Sequence, residues 1–146
     1  MTTTPLPGEI DPARFCRVGE SLEFNADVAA FPRLAAEFTQ GALACRIAGA
    51  VDAMGPYLKL EVEGAAGLTC QRCLGPMMLP IALVRTVRLA RDDLELNRLD
   101  ADLEFDAIPL TPKLDPVALV EDEILLSLPL AAMHEPDACP ARASGV

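Results

Sequence analysis

Tyr57-Leu58-Lys59-Leu60-Glu61-Val62-Glu63 alternates without a break, with Leu58, Leu60 and Val62 on one side and Lys59, Glu61 and Glu63 on the other. Period-two alternation of this kind is the mark of a strand with one buried and one wet face. Working outward, Leu43, Cys45, Ile47 and Val51 repeat the pattern upstream, opposite Arg46 and Asp52, and Met54-Gly55-Pro56 supplies a turn between the two runs. Downstream, Gly64 to Gly67 reads as a turn or a bulged continuation, and Leu68-Thr69-Cys70 leads into Cys70-Gln71-Arg72-Cys73, closed by Leu74, Gly75 and Pro76. A longer strand leaves from Leu79, with Ile81, Leu83, Val87 and Leu89 on one face and Ala82, Val84, Thr86 and Arg88 on the other. These runs predict an antiparallel β-sheet meander with Cys-x-x-Cys at a hairpin tip, a rigid support for a metal knuckle.

The flanks supply helices, so the fold class is α+β. Asp11 can cap a short N-terminal helix that Pro12 opens and Gly19 ends. Leu22 to Val28 alternates as a strand, with Leu22, Phe24 and Ala26 on one side. Phe31 to Phe38 is expected to form a two-turn helix, with Gly41 past its end. Residues 92–106 are acidic and weakly periodic and read as a loop, and Phe105 to Leu110 as a short returning edge strand. Asp115-Pro116 opens the best helix of the chain, with Val117, Val120, Ile124 and Leu128 as the stripe that packs on the sheet, before Pro129 stops it. Residues 1–9 are expected to be a flexible arm, 10–140 a single α+β domain with its acidic loop around 92–106, and 141–146 a tail.

At 146 residues the chain suits one domain with a real core. Its 51% apolar content comes from Ala, Leu and Val, with one Tyr, five Phe and no Trp; this is a globular composition rather than a disordered one. No apolar run reaches the ~18–20 residues of a membrane span, and no signal peptide opens the chain, so a cytoplasmic location is expected. Five cysteines without an export signal point to metal binding or buried thiols rather than a disulfide scaffold. The net charge of −10 is lopsided: residues 92–137 carry thirteen acids against Arg98 and Lys113, whereas residues 1–91 hold nine of each sign. The acidic half repels phosphate backbones and attracts basic partners.

Two thiols three positions apart can hold a metal ion or close on each other as a redox pair. His134 and Cys139 lie around another proline-bearing turn, His134-Glu135-Pro136-Asp137-Ala138-Cys139, and two plus two is the ligand count of a structural tetrahedral zinc. His134 could instead be a surface residue at a helix exit, leaving three cysteines with a water or Glu135. The redox alternative, a thiol oxidoreductase using Cys70 and Cys73, wants the pair at a helix N-terminus, where the thiol pKa falls; here it sits between strands. Cys16 and Cys45 read as buried small hydrophobes. Hydrolase chemistry finds little support: there is one His, no Gly-x-Ser-x-Gly elbow, and no phosphate-cradling or dinucleotide glycine loop. Glu121, Asp122 and Glu123 fan around a helix axis, which reads as a solvated face. Arg72, Arg85, Arg88 and Arg91 form the one local basic cluster, a candidate contact for RNA phosphate or a partner, without the interleaved aromatics that stack bases.

Cys-Gln-Arg-Cys-Leu at 70–74, then Val-Glu-Asp-Glu-Ile-Leu-Leu-Ser-Leu-Pro-Leu at 120–130, then His134 and Cys139, resembles the bacterial YceD family of large ribosomal RNA subunit accumulation proteins. The resemblance covers Ile10 to Cys139. It implies a metal-binding protein that supports accumulation of the large-subunit ribosomal RNA. On this reading Cys70, Cys73, His134 and Cys139 are the candidate metal residues, and Glu121, Asp122 and Glu123 are motif acids of unknown role. Family members often continue past the last cysteine with an Asn-Pro-Phe-like, Leu- and Lys-rich segment. This sequence stops at Val146, so that function is expected to be missing or dispensable. The expectation is therefore a non-enzymatic, zinc-stapled ribosome-biogenesis factor that engages pre-ribosomal RNA or a basic ribosomal protein. It would use neither a membrane nor a small-molecule substrate. A metal-stabilised interaction module without an RNA link is the remaining alternative.

Overall fold

The alternating stretch becomes the centre of a sheet. In the computed structural model, which describes residues 6–70, 73–101 and 106–128, four strands run antiparallel in chain order. They are β1 (Ser21–Asp27), β2 (Gln40–Asp52), β3 (Gly55–Thr69) and β4 (Pro76–Ala90). The register places Phe24 opposite Cys45, Cys45 opposite Val62 and Val62 opposite Leu83, so one buried row crosses all four strands. Leu58 and Leu60 are buried on the same side and Lys59 stands out in solvent, as the alternation predicts. Gly64 to Gly67 is a continuation of β3 rather than a turn. The turn before β3 falls at Ala53-Met54, with Asp52 paired to Gly55.

Helices cover one face of this sheet. α1 (Pro12–Val18) starts where Asp11 accepts the Arg14 N–H and ends on Gly19 in the left-handed region (φ 69°). A single 3-10 turn (Val28–Ala30) leads into α2 (Pro32–Glu37). α4 (Pro116–Ser127) is capped by Asp115, whose carboxylate accepts from Val117 and Ala118. Phe15 from α1, Leu34 from α2 and Val120 and Ile124 from α4 join Leu43, Ile47, Leu60 and Val87 in one core. Burying each such side chain contributes on the order of 1.5–3 kcal/mol before entropy is subtracted. Gly49 lets α1 close onto β2: a Cβ there would lie 2.6 Å from Phe15 Cδ1 and 2.8 Å from its carbonyl oxygen. A β-bridge between Ile10 and Leu114 ties the start of the domain to the entrance of α4.

Several expectations need correction. Within the acidic segment expected as a loop, residues 93–100 form a helix, α3 (Asp93–Asp100), while the expected returning edge strand is found as β5 (Asp106–Pro109). Asp92 caps α3 by accepting the Glu95 N–H at 2.7 Å, and the Glu95 carboxylate takes the N–H of Arg91 at 3.1 Å. That Asp-x-x-Glu arrangement is close to a capping box and stabilises a helix whose apolar pattern is thin. β5 pairs with β4 in parallel, Val87 with Asp106 through Ala90 with Pro109, so the sheet is mostly antiparallel rather than a pure meander. Val51, next to the last residue of β2, is 57% exposed rather than buried, and Gly41 lies within β2 instead of ending α2. On α4, Leu119 is buried with Val120 and Ile124, while Val117 and Leu128 are only half-buried.

Candidate functional site

The Cys-x-x-Cys pair lies in the connection between β3 and β4, of which residues 71 and 72 are outside the described residues. Thr69 pairs with Pro76, the Cys70 N–H donates to the Gly75 carbonyl at 2.9 Å, and the Leu74 N–H donates back to the Cys70 carbonyl at 2.8 Å. Leu74 adopts the left-handed region (φ 60°), unusual for a branched side chain, and a Cβ added at Gly75 would lie 3.5 Å from the Cys73 sulfur. Cys70 is fully buried and Cys73 half-buried. Backbone folding thus brings the two thiols close, which fits half of a tetrahedral thiolate site. His134 and Cys139, the other half of the proposed ligand set, lie outside the described residues, and among those described no three potential ligands converge. Cys16 and Cys45 behave as packing residues: burial raises both thiols, Cys45 up to about 12.

The arginine cluster is dispersed by the geometry of its strand. Arg85 continues the row Leu22, Ile47, Leu60 and so sits on the helix-covered side, three positions from Arg88 and on the opposite face. Arg88 is only 8% exposed; it holds Asp52 with two hydrogen bonds of 2.6 and 2.8 Å and lies 4.7 Å over the Tyr57 ring. That guanidinium holds the Asp52 carboxyl below its usual range. Arg91 pairs with Glu95 at 3.2 Å, and Arg72 is outside the described residues. Strand alternation therefore gives Arg85 and Arg88 different neighbours, and the described arginines do not share one surface.

The Glu121-Asp122-Glu123 triplet departs most from its sequence reading. A solvated face was expected, yet Glu121 is 4% and Glu123 3% exposed; only Asp122 faces solvent. Glu121 Oε2 accepts the backbone N–H groups of Arg33 (2.7 Å) and Leu34 (3.1 Å), and Oε1 accepts Arg33 Nε (3.0 Å). Helix α2 has Phe31 at its N-cap and no capping side chain of its own, so an acid from α4 satisfies its first donors and meets its positive end. Asp122 pairs with the outer end of the same guanidinium. Glu123 faces the other way, towards Asp106 at the start of β5 and Arg85 on β4. Burial, and then the hydrogen bond and charge of Asp106, push its carboxyl up to about 8. One of its oxygens, Oε2, is buried and has no hydrogen-bond partner among the described residues.

Two residues of this constellation, Arg33 and Asp106, were not singled out from the sequence. The signal for Arg33 was present: a helix opened by Phe31-Pro32, with no Ser, Thr, Asp or Asn to cap it, needs an acceptor from elsewhere. For Asp106 no local pattern marks the contact, because only the parallel pairing of β5 brings it beside α4.

No helix among the described residues is long and apolar enough to cross a membrane. A family model, that of the large ribosomal RNA subunit accumulation protein YceD, matches residues 58–145, more than half of the chain. No curated protein and no solved structure gives a match. The matched span begins in β3, takes in Cys70 and Cys73, and runs through the buried acids of α4 and beyond. The chain belongs to the YceD family.

Proposed function

We propose that this protein is a non-enzymatic, cytoplasmic ribosome-biogenesis factor that supports accumulation of the large-subunit ribosomal RNA. The observation that carries this reading is the family match, which holds both the cysteine turn and the acid-bearing helix in one span. The geometry is in keeping with a scaffold: Glu121, one of the motif acids, anchors α2. We read the Cys-x-x-Cys pair as the tip of the β3–β4 hairpin and as half of a structural zinc staple that His134 and Cys139 complete. Zinc there would supply cross-linking of the sheet to the chain beyond α4 rather than chemistry. The partner is pre-ribosomal RNA or a basic ribosomal protein; the acidic half favours the protein. The thiol oxidoreductase alternative gains no support, since among the described residues the pair is flanked by strands, ending at Thr69 and resuming at Pro76, rather than by a helix N-terminus.

The test is association. Tagged full-length protein, recovered from gently lysed cells and run on a density gradient, should sediment in part with large-subunit precursors, and its depletion should lower large-subunit ribosomal RNA relative to the small-subunit RNA. Absence of both effects would overturn the assignment.

A further inference from the structure

Beside the Glu121 anchor, on the other side of α4, is a cleft of about 410 Å³. Its polar wall is made by Asp100 at the end of α3, Asp106 on β5, and Asp122 and Glu123 on α4. Ile108, Leu119, Leu125 and Leu126 form the apolar wall, and Leu126 is 71% exposed although it lies on a helix that packs against the core. Arg33 reaches the rim, where Glu121 and Asp122 already engage it. Among the described residues no ion pair involves Asp100, Asp106 or Glu123, and none donates to the buried Glu123 Oε2. A buried acceptor left unmatched is destabilising, and a donor brought by a partner would relieve it.

We infer that this cleft receives a cationic side chain, an arginine or lysine of a basic polypeptide segment, whose charged head meets Glu123 and Asp106 and whose aliphatic stem lies along Leu119, Leu125 and Leu126. Two neighbouring carboxyls match the planar fork of a guanidinium, and the apolar wall matches its methylene stem. A bare divalent ion suits the space less well: the cleft is many times the volume of an ion, five of its ten lining residues are apolar, and the described acids do not converge as a ligand set. The inference rests on the ribosome-biogenesis reading only for the kind of partner.

The same geometry gives the site a proton. Burial, with the hydrogen bond to Asp106, favours the neutral form of Glu123, so below about pH 8 the pair holds a proton while the cleft carries no cation. Arg85 from β4 is the facing positive group; Asp122 on α4 opposes ionisation of Glu123, and Asp100 from α3 and Arg33 from α2 stand at the walls. Entry of a cation expels the proton to solvent, leaving both carboxylates charged against the new positive head. Binding should therefore tighten as pH rises through the titration of Glu123, and it should release protons.

The test uses the full-length chain and a short fluorescein-labelled peptide with one central arginine between leucines in a glycine–serine background. Anisotropy should report binding that strengthens from pH 6 to pH 8.5, and calorimetry in buffers of different ionisation enthalpy should show proton release. Replacing the arginine by citrulline, Glu123→Gln, and Asp106→Asn should each weaken binding about 30-fold or more. Glu63→Gln on the open face of the sheet should leave it unchanged. Circular dichroism establishes that the variants are folded, and the peptide substitution tests the charge without altering the protein. Equal binding of the arginine and citrulline peptides would overturn the inference, as would unchanged affinity in both variants or displacement of the peptide by stoichiometric manganese alone. Ribosomal association that persists in Glu123→Gln would overturn only the cleft's part in it. Absence of association by the native chain would overturn the broader reading even if the peptide binds.

Discussion

Glu121 is the residue whose loss should be felt most directly. Its carboxylate is the acceptor for two backbone donors of α2 and for the Arg33 side chain, so Glu121→Ala strands those donors and should destabilise the fold by about 3 kcal/mol in urea unfolding. Arg33→Ala removes a mostly exposed partner and should cost under about 1 kcal/mol. If the two losses are equal, the cap is not the source of the effect. Glu123 makes the opposite demand. Its folded carboxyl titrates near 8 against an ordinary value of 4.5, so the native state binds more protons than the unfolded chain between those pH values. Stability from this group is complete below about pH 4.5 and is lost as pH rises through about 8. Urea midpoints should therefore fall over that window in the native protein, and Glu123→Gln should flatten the fall; an equally steep decline in the variant would contradict the assignment.

At the level of elements, the tight fit of α1 on β2 is the sharpest point. A methyl group at Gly49 meets the Phe15 backbone as well as its ring, so neither rotamer change nor side-chain bending relieves it. Gly49→Ala should lower stability by about 1–3 kcal/mol, measurable as a reduced melting temperature, whereas alanine at solvent-exposed Gly8 should leave it unchanged. What could be read in advance follows the same division. β3 and β4 were legible because their alternation reports burial directly, and α1 and α4 because Asp-Pro marks their first turns. α3 was missed because its acids hide a capping pair, Asp92 and Glu95, behind a sequence that resembles a solvated run. The buried triplet was missed for a different reason: helical periodicity counts a glutamate as polar, and only tertiary structure shows that Glu121 has the start of another helix to serve. Likewise Arg85 and Arg88 look like neighbours in sequence, while the pleat separates them.

For the whole molecule, the proposed metal staple makes a discriminating prediction. Elemental analysis should give about one zinc per chain. Cys70→Ser alone does not settle the matter, since replacing a fully buried thiol with a hydroxyl costs stability with or without metal. Cys73→Ser is cleaner, because Cys73 is half-buried. A sharp loss of stability in that variant, matched by chelator treatment of the native protein and reversed by added zinc, is the expected result. A chelator with no effect on stability would overturn the metal staple. The Glu121 anchor has a consequence of another kind, in the order of synthesis. The acid and the α2 donors it caps stand 88 residues apart, which at roughly 5–20 residues per second is a delay of several seconds on the translating ribosome. During that interval the four antiparallel strands can pair while α2 has no acceptor for its leading amides. A nascent chain would thus carry a sheet before it has a finished helical layer, and the arrival of α4 closes both at once.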